Sequence, residues 1–164
     1  MQERPGDLAE VEWLLDLAFA PGRTALSSYQ LRAGVEPIAE LCIVARDEYD
    51  VLAGCIRYWP VRIGAQGDCA LLLGPVAVHP TRQGEGLGGV LIRDSLDRAR
   101  AMAWSRVLLV GDRPYYGRFG FERLEGVIMP PPTNPDRVLG VELEPGAWRG
   151  IRGQVERSEP GDGQ

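Results

Sequence analysis

The chain has 164 residues, 45% of them hydrophobic and 25% charged, an ordinary globular composition at a length that suits one hydrophobic core. A formal net charge of -5 and a pI near 5.0 argue against nucleic-acid binding, whose main affinity comes from neutralising phosphates. No apolar run approaches the ~20 residues a membrane span needs, and residues 1–7 are polar, without a signal peptide's apolar core. The expected location is therefore the cytoplasm, and the expected partner is small or itself basic. Cys42, Cys55 and Cys69 are scattered in apolar strand-like runs and His79 is the sole histidine. That pattern suits buried reduced thiols better than a disulfide framework or a zinc site, so no metal is expected.

In chain order, Leu8, Val11, Leu14, Leu15, Ala18 and Phe19 recur at spacings of three and four, which predicts an amphipathic helix with Asp7 as its N-cap, ended by Pro21-Gly22. A second short helix is expected from Ser27 to Ala33, closed by Gly34. Glu40 to Arg46 and Tyr49 to Ile63 read as strands of a hairpin joined by Asp47-Glu48, and Gly64 to Asp68 as the next turn. Cys69 to Val78 is almost wholly apolar, as a central strand buried on both faces should be, yet it contains Gly74-Pro75. Proline cannot donate to a ladder and glycine weakens it, so that pair predicts a bulge or splay in mid-sheet.

Leu87, Val90, Leu91, Ser95, Leu96, Ala99 and Met102 have helical spacing, and Arg106 to Val110 reads as a returning buried strand. A short helix or turn at Pro114 to Phe119, strands near Phe121 to Leu124 and Val138 to Leu143, and a stiff loop at Pro130-Pro131-Pro132 follow. The expected class is α+β, a mixed and mostly antiparallel central sheet flanked by helices, in one domain over residues 1–152. Residues 153–164 are expected to form a disordered tail.

Gln83-Gly84-Glu85-Gly86-Leu87-Gly88-Gly89 lies between a strand and a helix, where bare backbone amides and the positive helix end suit a phosphate. Its glycine spacing alone also satisfies a dinucleotide fingerprint. That reading needs the first glycine directly after a strand, whereas His79 to Gln83 intervene, and it needs more βα units than the chain supplies. A nucleotide P-loop lacks its Gly-Lys-Ser/Thr here. A structural turn is the bland alternative, and four glycines in six residues opening a helix weigh against it.

Val78-His79-Pro80-Thr81-Arg82-Gln83-Gly84-Glu85-Gly86-Leu87-Gly88 resembles the pyrophosphate motif of the GNAT acyltransferase superfamily, and Gln83, Gly86 and Gly88 match its core. Pro114-Tyr115-Tyr116-Gly117-Arg118-Phe119-Gly120-Phe121 resembles the family's aromatic-Tyr-x-x-x-Gly-Phe element. The resemblance covers roughly residues 7 to 125, with the first family strand shortened or missing and a weakly matching C-terminal part. A YhbS-like bacterial branch is the narrower expectation. It implies acetyl-CoA as co-substrate in a V between splayed strands, with backbone groups of Val76, Ala77 and Val78 on the pantetheine. Gln83, Gly84, Glu85, Gly86, Leu87, Gly88 and Gly89 would cradle the pyrophosphate, and Arg82 and Arg118 would reach other phosphates. Tyr116 is the implied acid for the departing thiolate, with the adjacent Tyr115 as the alternative.

The function so implied is N-acetyl transfer from acetyl-CoA to a primary amine of a small molecule or protein by direct attack. A non-catalytic acyl-CoA-binding module, or transfer of another acyl group, are the alternatives. Asp68 and Glu40 are weak candidates for a base, His79 reads as a turn residue, Asp112 as a cap of the short helix, and Trp59 as the tryptophan best placed to line a pocket. Oligomeric state stays open, with a homodimer common in the family.

Overall fold

The computed structural model describes residues 1–18, 31–32, 34–82, 84 and 86–158. The chain begins with a 3-10 turn at Pro5–Asp7 that runs into helix α1, Leu8–Ala18. The apolar spacing does what it predicts: Val11, Leu14 and Leu15 are fully buried and pack with Val44, Leu52, Cys55 and Ala77. Asp7 corrects the expectation of an N-cap for α1. It is the buried third residue of the 3-10 turn, and its carboxylate reaches back to accept from the Arg4 backbone N–H at 2.8 Å and the Arg46 guanidinium at 2.7 Å. Those bonds hold its carboxyl below the usual aspartate value. The helix expected at 27–33 falls outside the described residues, apart from a turn at Leu31 and Arg32.

Ala39–Leu41 form a 3-10 turn, so strand β1 is only Ile43–Arg46. It pairs antiparallel with the long β2, Leu52–Ile63. The connecting turn is organised by Asp47, whose carboxylate accepts the backbone N–H of Tyr49 at 2.8 Å and of Val51 at 3.0 Å. β3, Asp68–Val78, pairs antiparallel with the other edge of β2. Between Ile56↔Val76 and Tyr58↔Leu73 the register shifts, so Gly74 and Pro75 together oppose the single residue Arg57. This is the bulge that Gly74-Pro75 predicted, and Gly74 takes φ of +134°, which glycine tolerates.

Helix α2, Leu87–Ala101, follows, then β4, Arg106–Val110, parallel to β3. After the short α3, Arg113–Tyr116, the remaining strands are β5 (Glu122–Arg123), β6 (Val127–Ile128), β7 (Val138–Glu142) and β8 (Gly153–Arg157). The sheet order is β5-β7-β4-β3-β2-β8-β6, with β1 on the first half of the β2 edge whose second half takes β8. Among the described strands only the β3–β4 and β6–β8 pairs are parallel. This is the mixed, mostly antiparallel sheet expected from the sequence.

Leu91, Ile92, Ser95, Leu96 and Ala99 of α2 are buried against one face, over Ile56, Tyr58, Leu71, Leu73, Val107 and Leu109. The one polar pair there is satisfied: the Tyr58 hydroxyl and Ser95 Oγ are 2.7 Å apart, and Ser95 donates to the Ile92 carbonyl at 3.0 Å. α2 approaches the sheet closely at Gly54, where a Cβ would stand 3.0 Å from Leu91 and 3.1 Å from Leu87. On the opposite face, α1 covers the β1 end, and Trp59, Val61, Leu72, Leu108, Met129 and Val138 form a second cluster.

Two expectations are corrected. Residues 153–157 are not a disordered tail, because they form β8 and pair with both β2 and β6; the chain returns there after a loop rich in glycine, and no sequence period announces a five-residue edge strand. Cys69 is exposed at the start of β3, whereas Cys42 and Cys55 are buried, their thiols pushed up by desolvation to about 11 and about 12 and so chemically quiet. Among the described residues no helix is long and apolar enough to cross a membrane, and no group of three His, Cys, Asp or Glu is placed to hold a metal ion.

β8 docks through a glycine contact: a Cβ on Gly153 would lie 2.6 Å from the Cα of Gly64, and Gly153 has φ of +119°. Gly153→Val is expected to detach the strand, costing about 1–3 kcal/mol and raising amide exchange across residues 153–157 well above that of β3. Unchanged protection there would show that the contact does not hold β8.

Candidate active site

β3 and β4 pair only at Leu71↔Val107 and Leu72↔Leu108. Beyond that point β4 stays paired with β7 as far as Val110↔Val138, while β3 follows β2 to Gly54↔Val78, and the two strands diverge. The backbone of His79 donates to Ala53 at 2.7 Å. By the alternation of an antiparallel ladder, Ala77 then faces β2, and the N–H and C=O of Val76 and Val78 face the opening. Val76 and Val78 line the resulting cleft, of about 500 Å³. Ala77 does not: it is paired with Cys55 and buried beneath Val11 and Leu14.

At one end of the cleft lies the glycine loop. His79 Nδ1 takes Thr81 Oγ1 at 2.8 Å and the Thr81 N–H at 3.2 Å, which fixes the 3-10 turn Pro80–Arg82 and makes His79 the turn residue it was expected to be. Arg82 is tied to the Asp47 carboxylate at 3.1 Å, so the β1–β2 turn anchors the loop. Gly86 is the N-cap of α2 with φ of +80° and has no side chain to cap it. Among the described residues no side chain accepts from the first-turn amides, which stand at the positive end of a fifteen-residue helix. Gly84, Gly86, Leu87, Gly88, Gly89, Arg82 and Arg118 all line the cleft. Gln83 and Glu85 lie outside the described residues.

The opposite wall comes from α3 and the turn after it. Gly120, at φ of +93°, reverses the chain, which returns Phe121 to the core, 1% exposed and edge-on to Tyr116 at 6.0 Å. Tyr116 lies against Gly111, where a Cβ would be 2.5 Å from its ring. Burial foremost, and then neighbouring Tyr115 and Asp112, push its phenol up to about 12. Tyr115 stands edge-on to Tyr116 at 4.9 Å and places its hydroxyl 3.0 Å from where a Gly88 Cβ would be, over the first turn of α2. The adjacent tyrosines therefore face different ends of the cleft, one the glycine loop and the other the buried side.

Two wall residues were not singled out from the sequence, Arg93 and Phe119. Arg93 is four positions after Gly89, hence on the same helical face, and a long helical side chain reaches back toward the N-terminus; that spacing is the signal that was available. Asp68 and Glu40 are absent from the described lining, Asp68 sitting at the far end of β3 opposite Ile63. Asp112 holds the N-cap position of α3 but makes no cap bond and pairs with Arg137 at 3.3 Å. Trp59 is buried on the other face with the Arg32 guanidinium 4.5 Å from its ring centre, and neither it nor Pro130-Pro131-Pro132 lines this cleft.

Residues 39–123 match the family model described as the acetyltransferase (GNAT) domain. The chain belongs to the GNAT acetyltransferases. The Escherichia coli strain K12 protein named N-acetyltransferase YhbS is 28% identical over 120 residues, 73% of this chain and 71% of its own length. The crystal structure of that GNAT enzyme in complex with CoA superposes with a TM-score of 0.82 at 27% identity, covering 97% of this chain and 88% of that one. A GNAT family acetyltransferase from Brucella melitensis, in complex with acetyl-CoA, gives 0.72 at 30% identity over 96% and 94% of the two chains. This GNAT enzyme is thus YhbS-like, and its splayed sheet is the family's architecture.

Packing of Tyr116 on Gly111 has a measurable consequence. Its phenol ionises at about 12 in the folded enzyme against ~10 when unfolded, so the unfolded chain loses its proton first. Stability from this group is complete below pH ~10 and is lost as pH rises to about 12. Denaturant midpoints across that window should fall less for Tyr116→Phe than for the wild type. Gly111→Ala, which pushes the ring outward, should lower the ionisation toward ~10 in a phenolate absorbance titration; an unmoved titration would show that the ring does not depend on the glycine.

Proposed function

We propose that this GNAT enzyme transfers the acetyl group of acetyl-CoA directly to a primary amine, on a small molecule or a protein, within a ternary complex. The observation that carries the reading is the opening between β3 and β4: the outward backbone of Val76 and Val78 runs from the uncapped glycine loop toward Tyr116 along one cleft. The same residues fit acetyl-CoA by shape and charge. The amides of Gly84 and Gly86–Gly89 and the α2 N-terminus suit the pyrophosphate, and the cleft volume of about 500 Å³ suits an extended cofactor arm. The relatives crystallised with CoA and acetyl-CoA support the same donor.

The thioester supplies an electrophilic carbonyl carbon and a thiolate leaving group with an affinity for protons near that of cysteine, ~8.5. Tyr116, at about 12, is neutral at physiological pH and holds its proton on the phenolic oxygen. It donates a hydrogen bond as charge grows on sulfur, an interaction stronger in the transition state than before it. Tyr116 is preferred over Tyr115 because the Tyr115 hydroxyl is turned to the glycine loop at Gly88, the phosphate end. A cytoplasmic setting belongs to this proposal, supported by cysteines left unpaired, two of them in the core.

The test is calorimetric titration with acetyl-CoA of the wild type and of Gly86→Glu, whose carboxylate would stand in the cradle at φ of +80°. Binding should weaken at least ~100-fold while circular dichroism shows the fold retained. Tyr116→Phe should bind acetyl-CoA as the wild type does and lose roughly 10²-fold or more in kcat on an amine panel. Failure of the wild type to bind either acetyl-CoA or CoA would overturn the donor assignment.

A further inference from the structure

The bulge in β3 leaves a space on the face of the sheet away from α2. Gly74 and Pro75 oppose Arg57 alone, between Leu73 and Val76, whose side chains pack on the α2 face. Strand alternation therefore turns the bulge to the other face, with Arg57. Beyond its two chain neighbours, a Cβ on Gly74 would meet no atom of the described residues within 4 Å, so a carbon fits there without a clash. The surroundings on that face are apolar. Leu72 pairs with both Trp59 and Leu108, and the same register carried two residues further sets Gly74 opposite Val110, which pairs with Val138. Trp59, Leu72, Leu108 and Val138 belong to one buried cluster and Val110 packs on it. The charge opposite the bulge, Arg57, is already bonded to the two carboxylates of Glu3 and Glu12.

A cofactor arm laid along the open backbone edge of Val78 and Val76 advances about 3.3 Å per residue and comes to Gly74 two residues on. Ladder pairing stops there, because Pro75 has no N–H to donate, and the end of the arm is free to turn through the opening. We propose that the space beside Gly74 is an acyl pocket, and that the enzyme takes propionyl-CoA and butyryl-CoA as donors as well as acetyl-CoA. This rests on an acyl-CoA being the donor in the cleft. The added methylenes run onto Val110 and the row of Leu72 and Leu108, while the carbonyl carbon stays at the opening by Tyr116. The transfer itself is unchanged: the amine nitrogen bonds the acyl carbon and loses a proton, the carbon–sulfur bond breaks, and the sulfur takes up a proton. An acyl group ending in a carboxylate is disfavoured, because it would meet an apolar wall and the surplus negative charge of Glu3 and Glu12 over Arg57.

Calorimetric titrations with CoA and with acetyl-, propionyl-, butyryl- and succinyl-CoA read the pocket without an acceptor. In the wild type, affinity should rise roughly fourfold for each methylene from acetyl to butyryl. Succinyl-CoA, of the same length as butyryl-CoA, should bind at least ~10-fold more weakly than it. Val110→Phe fills the space, so its series should be flat or falling while its CoA affinity stays within about twofold of the wild type; Val110→Ala should keep the rise. With an amine that the acetyl-CoA panel yields, propionyl-CoA and butyryl-CoA should keep kcat within about tenfold of acetyl-CoA, and a larger loss overturns their use as donors. Affinities that are level or fall along the wild-type series, or a rise that survives Val110→Phe, overturn the pocket and leave the donor site standing. A wild type that binds neither CoA nor acetyl-CoA overturns the donor assignment and the pocket with it.

Discussion

Everything at the candidate site depends on two neighbouring strands being unable to stay paired. Gly74 and Pro75 place two residues of β3 opposite Arg57 alone, and the extra residue bends β3 away just after its second pairing with β4. β4 cannot follow, because its other edge is held by five consecutive pairings to β7. Arg57, opposite the bulge, points to the face away from α2. Its guanidinium is buried and bonded to Glu3 at 2.7 Å and Glu12 at 3.2 Å, so a charge beside the bulge is paired, as a buried charge must be.

The opening would be only a defect without something to set its width and chemistry. Small residues do that by leaving room for larger ones. Gly54 lets α2 sit low on the sheet and brings its N-terminus to the end of β3; Gly88 and Gly89 admit Tyr115, Phe119 and Arg93; Gly111 admits Tyr116. A side chain at any of these positions would move a wall of the cleft. The glycines of this loop therefore leave their amides open toward the cleft and also accommodate the aromatic wall across from them.

That wall also separates roles for two adjacent tyrosines. A short helix rotates successive residues by about 100°, so Tyr115 and Tyr116 cannot share an environment. One is exposed enough to carry Arg118 on its ring, and the other is desolvated enough to hold its proton to about 12. A desolvated phenol that keeps its proton and a ring that meets water are obtained from consecutive positions of one turn.

Much of this was legible in the amino-acid sequence. Helical spacing placed α1 and α2, the apolar run with Gly74-Pro75 placed β3 and its bulge, and the two motifs pointed to the loop and to Tyr116. Such features are local: they arise from period, backbone freedom and missing donors within a few residues. What the sequence could not decide were matters of who meets whom. β8 forms because Gly153 lies against Gly64, 89 positions earlier; Asp7 is an acceptor for Arg46 instead of a cap for α1; Ala77 is turned away between two residues that face the cleft. Arg93 becomes a wall residue only because Phe119 arrives from another element to hold it. Long-range packing sets each of these, and pairwise contacts across the fold have no period for a single sequence to display.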